Sequence, residues 1–107
     1  MALQDFLTAN EKTLYESPGT VKMGDIALKL YITDIKILLY RQTGLLSKKD
    51  EVTAIKHSEI ERLDYREEGM LKKKGILSVS RPKGRLLIEG DPSAIKSAWQ
   101  TLQEYVK

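Results

Sequence analysis

GDPSAIKSAWQTLQEYVK, residues 90–107, is the stretch that decides the fold. Asp91 is a good helix N-cap, and Pro92 stands at the first helical position, where a missing N–H costs nothing. Ile95, Ala98, Trp99, Leu102, Tyr105 and Val106 recur at three-and-four spacing and make one apolar face. Lys96, Gln100, Gln103 and Lys107 fall opposite. The spacing predicts one long amphipathic helix with Trp99 as the plug of its stripe. On that reading Trp99→Ala costs roughly 3–5 kcal/mol through the cavity it leaves.

Working outward, nearly everything before residue 90 reads as strand. Leu28, Leu30 and Ile32 alternate with Lys29 and Tyr31, the period-two pattern of a half-buried strand over 27–32. Thr33-Asp34 turns the chain into a second run, 35–41. A first strand over 12–17 is interrupted by Pro18-Gly19 and resumes over 20–23. Further strands are expected at 52–56, 60–66, 75–80 and 85–89, with Leu77 and Val79 inward and Ser78 and Ser80 outward. Pro82-Lys83-Gly84 is a hairpin turn. His57-Ser58 is a strand boundary, and His57 is expected partly exposed there. Leu3, Phe6 and Leu7 have helical spacing over a very short segment, so residues 1–10 are expected to be a short helical or irregular piece packing on the domain of 11–107. The expected architecture is mainly β: seven antiparallel strands in a barrel or bent sandwich, capped by one C-terminal α-helix.

That order of elements resembles the pleckstrin-homology (PH) superfold. The likeness sharpens in LYITDIKILLY (residues 30–40), similar to the L-Y-hydrophobic-T-D-x-[RK]-hydrophobic hairpin of bacterial and archaeal PH-like domains and of GRAM domains. IKHSEI (residues 55–60) is similar to their passage into the fifth strand, with Lys56 and His57 where a proline and an apolar residue are usual. EGDP (residues 89–92) leads into the helix in the same way. An OB-fold places its helix mid-chain and an Sm-like barrel places it first; here the dominant helix is last. The resemblance implies a binding scaffold rather than an enzyme. Phosphoinositide-binding relatives carry a basic cluster across the first two strands. The corresponding turn, Ser17-Pro18-Gly19-Thr20, is neutral here and flanked only by Lys12 and Lys22.

The 107 residues suffice for one modest core, and no apolar run is long enough to span a bilayer as a helix. Cysteine is absent, which removes disulfides, thiolate nucleophiles and thiolate metal sites. The N-terminus has no basic region followed by an apolar core, so no secretory signal is read and a cytoplasmic place is the expectation. His57 is the only histidine and stands in no ligand spacing. No nucleophile–base set and no phosphate-cradling loop is visible, so neither enzymatic action nor a cofactor is expected.

The net charge of +3 is mild, but the basic residues are clustered. Lys48 and Lys49 form one group, Lys72, Lys73 and Lys74 a second, and Arg81, Lys83 and Arg85 a third. These are the candidates for an anionic ligand, above all a membrane surface, to which the protein would be peripheral; weak nucleic-acid binding ranks below that. The leading expectation is different. In a PH-like fold the groove between the fifth strand and the helix accepts an extended protein segment as an added strand. Ile60, Arg62, Asp64 and Arg66 would line it on one side, and Ser97, Thr101 and Glu104 on the other. Exposed strand edges also leave room for a homo-oligomer.

Overall fold

The structure, a computed structural model, describes residues 7–43 and 49–106. Eight antiparallel strands run in the order β5-β4-β3-β2-β8-β7-β6, with β1 paired to β3 beside β2. Their ranges are β1 Thr13–Glu16, β2 Val21–Met23, β3 Ile26–Thr33, β4 Lys36–Thr43, β5 Lys49–Lys56, β6 Arg62–Glu68, β7 Lys74–Arg81 and β8 Gly84–Gly90. The one α-helix among the described residues, α1, is Pro92–Leu102. The expected seven strands are present, and the first is broken in two. β1 pairs with the far half of β3 and β2 with its near half, where β2 also reaches β8 and joins the two curved sheets. Ser17 makes the break tolerable: its N–H reaches the Leu30 carbonyl at 2.8 Å, and its Oγ accepts the Leu30 N–H at 3.1 Å. The buried backbone groups at the break therefore keep partners.

Leu28, Leu30 and Ile32 of β3 point inward with Ile37 and Leu39 of β4, Ile55 of β5, Leu77 and Val79 of β7 and Ile88 of β8. β7 departs from the expected alternation. Ile76 and Ser78 on its outer face are buried as well, Ser78 lying between Asp64 and Leu87 of the neighbouring strands. A central strand flanked by long side chains is shielded on both faces.

α1 closes one end of this sheet system with Ile95, Ala98 and Leu102, all fully buried. The Asp91 carboxylate accepts the Ala94 N–H and the Ser93 hydroxyl, which hold it below the usual carboxylate range. Two tyrosines fix the first turn from opposite sides. Tyr15 of β1 donates to the Ala94 carbonyl at 2.7 Å, and Tyr65 of β6 brings its hydroxyl to 3.1 Å from the Pro92 carbonyl, its one proton shared between that carbonyl and the Glu67 carboxylate at 2.9 Å. Gly75 and Gly90 are cross-strand partners, and with no side chains they leave a hollow that Ile95 fills.

Three expectations are corrected. Trp99 is not the central plug: it lies at the margin of the stripe, half-buried, stacked on Tyr65 at 5.6 Å between ring centres. The helix also stops at Leu102, and Tyr105 and Val106 follow in a turn whose N–H groups return to the Leu102 carbonyl. His57 is buried rather than partly exposed. It opens a 3-10 turn, His57–Glu59; its Nε2 donates to the Thr33 carbonyl at 2.8 Å and its ring stacks on Tyr105 at 5.0 Å. A carbonyl can only accept, so Nε2 carries the proton.

Of the N-terminal piece, residues 1–6 lie outside the described residues, and residues 9–10 make a turn, with Asn10 at φ +69°. Glu11 then anchors the chain. Its buried carboxylate accepts from the Thr8 N–H and hydroxyl and from the Thr33 hydroxyl, and pairs with Lys36 Nζ at 3.3 Å. Burial pushes its pKa up, but these donors outweigh burial and leave it below the ordinary 4.5. A depressed carboxylate contributes stability above its unfolded pKa and loses it as pH falls through the folded value. Glu11→Gln should therefore cost about 1–3 kcal/mol at pH 7 in urea unfolding. The variant's stability should also fall less steeply than wild type below the ordinary carboxylate pKa. Parallel acid limbs for the two proteins would remove the role given to Glu11.

Candidate functional site

A cleft of about 640 Å³ lies where the β6–β7 loop meets β2 and the start of α1. Lys72, Lys73 and Lys74 form one wall; Thr20 and Lys22 form another; Glu89, Gly90 and Asp91 close it. Each is positioned by a local rule. β6 and β7 pair without a break to Glu68 and Lys74, which confines the connection to residues 69–73. Gly69 turns the chain there at φ +113°, a region open to glycine and costly for other residues. Lys22 is brought alongside because it pairs with Glu89, the β8 residue opposite Ile76.

The charges of this cleft are not equivalent. Lys74 Nζ donates to Glu89 at 2.7 Å, and that contact raises the lysine's pKa. Asp91 is committed to the helix cap. Lys22, Lys72 and Lys73 are exposed and have no ion-pair partner among the described residues. The cleft thus presents three ammonium groups that have no ion-pair partner among the described residues.

A search of solved structures finds a crystal structure of a pleckstrin homology domain from Shewanella amazonensis SB2B, with a TM-score of 0.67 over 96% of this chain and 90% of that one. Identity is 18%, so the likeness concerns the fold. The fold is PH-like. No protein-family model matches the sequence, and no curated protein matches it. In this PH-like frame the turn that joins the broken first strand to the next is Gly24-Asp25, between β2 and β3, not Ser17–Thr20 as the sequence suggested. The two halves of the first strand pair with the same neighbour, so the Pro18-Gly19 kink lies within a strand.

The other expected binding residues are scattered by the PH-like architecture. Lys48 lies outside the described residues, and Lys49 opens β5 opposite Thr43. Arg81, Lys83 and Arg85 belong to the β7–β8 hairpin, at the other end of β7 from Lys72–Lys74. The two sides of the expected groove do not meet. Ile60 is 8% exposed and part of the core. Arg62, Asp64 and Arg66 lie on the outer face of β6, where Arg62 pairs with Asp64 at 3.0 Å and Arg66 with Glu68 at 2.9 Å. Ser97, Thr101 and Glu104 border a hollow of about 440 Å³ with Leu14 of β1, on the opposite flank of α1 from Tyr65 and Trp99. Sequence reasoning missed Lys22 as a member of the basic site. Only the β2–β8 pairing brings it to Lys72–Lys74, and nothing local to residue 22 announces that pairing.

Three of the tyrosines are held by hydrogen bonds. Besides Tyr15 and Tyr65, Tyr40 donates to Asp50 at 2.7 Å, a contact that pushes its pKa up to about 12. Burial first, then Glu67, pushes the Tyr65 pKa up to about 12.

Proposed function

We propose that this chain is a non-enzymatic binding module that associates peripherally with an anionic membrane surface, on its cytoplasmic side, through Lys22, Lys72 and Lys73. The observation that carries the reading is that these three exposed lysines, none with an ion-pair partner among the described residues, line one cleft, while the fourth lysine there, Lys74, is paired to Glu89. Near a negative bilayer each free lysine is worth about 1 kcal/mol, so three give weak, reversible, salt-sensitive attachment. No helix among the described residues is long and apolar enough to cross a membrane.

The test is sedimentation with phosphatidylserine-containing and pure phosphatidylcholine vesicles. The full chain should bind the first and not the second. Lys72→Ala with Lys73→Ala should weaken binding by about 30-fold, and rising salt should release the protein. Equal binding to both vesicle types, or indifference to the double substitution, would overturn the reading.

A second reading rests on a separate observation. β6 is the last strand of its sheet, so its far edge has no strand partner among the described residues. A protein segment adding there would slow amide exchange along β6 and leave the lysine loop unchanged.

A further inference from the structure

The β6–β7 loop carries two more side chains that the charge argument does not use. Met70 and Leu71, adjacent at its tip, are 97% and 103% exposed, while the other exposed large apolar residues among those described reach at most 43%. Single half-exposed apolar residues are ordinary on a protein surface; two neighbouring side chains held wholly in water are not.

The loop's geometry keeps them there. A side chain at Gly69 would collide with the Lys72 carbonyl, so the loop doubles back on itself tightly behind the tip. The strand pairing ends at Glu68–Lys74, and the Lys74–Glu89 ion pair holds the base of the loop to β8. Behind the two apolar side chains follow Lys72 and Lys73, with Lys22 across the cleft. The order from the tip inward is apolar pair, then cations, then folded domain. A lipid bilayer approached from water has the complementary order: phosphate and carboxylate groups outside, hydrocarbon beneath.

Building on the membrane reading above, we infer that Met70 and Leu71 form a wedge that enters the upper hydrocarbon of an anionic bilayer while Lys22, Lys72 and Lys73 engage its headgroup phosphates. The wedge supplies an apolar contribution that salt does not screen, and the lysines supply the selectivity for negative surfaces. An anionic polymer such as RNA would engage the lysines but offer nothing to the apolar pair.

The test uses the full chain with phosphatidylcholine vesicles, with and without phosphatidylserine. Met70→Ser with Leu71→Ser should weaken binding to the anionic vesicles by about 10- to 100-fold, as expected for two partly inserted side chains, and should leave the melting temperature unchanged. The chain has no cysteine, so Met70→Cys gives a single site for an environment-sensitive fluorophore. Its emission should shift to the blue on binding and be quenched by bromine on the acyl chains. The same label at Lys83→Cys, in the hairpin at the other end of β7, should do neither. If the double-serine variant binds as wild type does while the lysine variant fails, the wedge is refuted and the electrostatic reading stands. Absence of wild-type binding even at low salt overturns both. RNA binding in place of vesicle binding, unaffected by the double-serine change, also overturns the wedge. Should the serine variant melt lower, the position of the label decides alone.

Discussion

Leu102→Ala should lower the unfolding free energy by about 2–5 kcal/mol, read as a shift in the urea midpoint with unchanged slope. The side chain is fully buried at the last turn of α1, where it completes the stripe begun by Ile95 and Ala98. It belongs to a buried cluster made mostly of strand residues whose backbones are held by ladder pairing, so the cavity cannot readily collapse. The Leu102 carbonyl also takes the N–H groups of Tyr105 and Val106, which tether the final turn. The loss should exceed that from Trp99→Ala, because Trp99 lies half-buried against Tyr65 at the margin of the helix–sheet contact. The reverse order would restore the indole as the plug.

Gly75→Val acts on the same contact from the other side. A Cβ at this position would stand 3.0 Å from the Pro92 Cα, 3.1 Å from the Ile95 Cβ and 3.2 Å from the Tyr65 ring. Two of these atoms belong to the first turns of α1, and the third belongs to a tyrosine whose hydroxyl holds that turn. The valine methyl groups therefore have nowhere to go unless the helix lifts. Overpacking of this kind costs about 1–3 kcal/mol, and here it should also break the Tyr65–Pro92 hydrogen bond. Unfolding by urea gives the free energy, and the quenching of Trp99 fluorescence reports the lift. Gly75→Ala should be the milder change. A valine variant as stable as wild type, with unaltered Trp99 emission, would mean that α1 does not press on β7 as described.

Those two sites also show what was legible in the residues alone. The helix could be read because Ile95, Ala98 and Leu102 keep a 3.6-residue period that no strand produces, and β3 because Leu28, Leu30 and Ile32 keep a period of two. The Gly75–Gly90 hollow could not be read, since it exists only through a pairing between two strands. A place in the helix stripe does not by itself separate Trp99 from Leu102; its azimuth on the helix turns it toward Tyr65 of the edge strand β6. The expected peptide groove failed for the same reason. Ser97, Thr101 and Glu104 share one flank of α1, and which neighbour that flank faces is set by how the helix crosses the sheets. His57 looked exposed because a lone histidine at a strand end is usually solvated; the Thr33 carbonyl that receives its Nε2–H is 24 residues away in sequence. The lysine run was visible as a charge cluster. That the two apolar residues before it stand in water, and that Lys22 joins it, are facts of tertiary structure.

The most direct test of the membrane account is the pattern of amide broadening when the isotope-labelled full chain meets anionic nanodiscs carrying a paramagnetic lipid. The account predicts that signals from Gly69, Met70, Leu71, Lys72, Lys73 and Lys22 broaden first, while those of the Pro82–Gly84 hairpin stay sharp. Broadening centred on that hairpin, at the other end of β7 from the lysine loop, would contradict it.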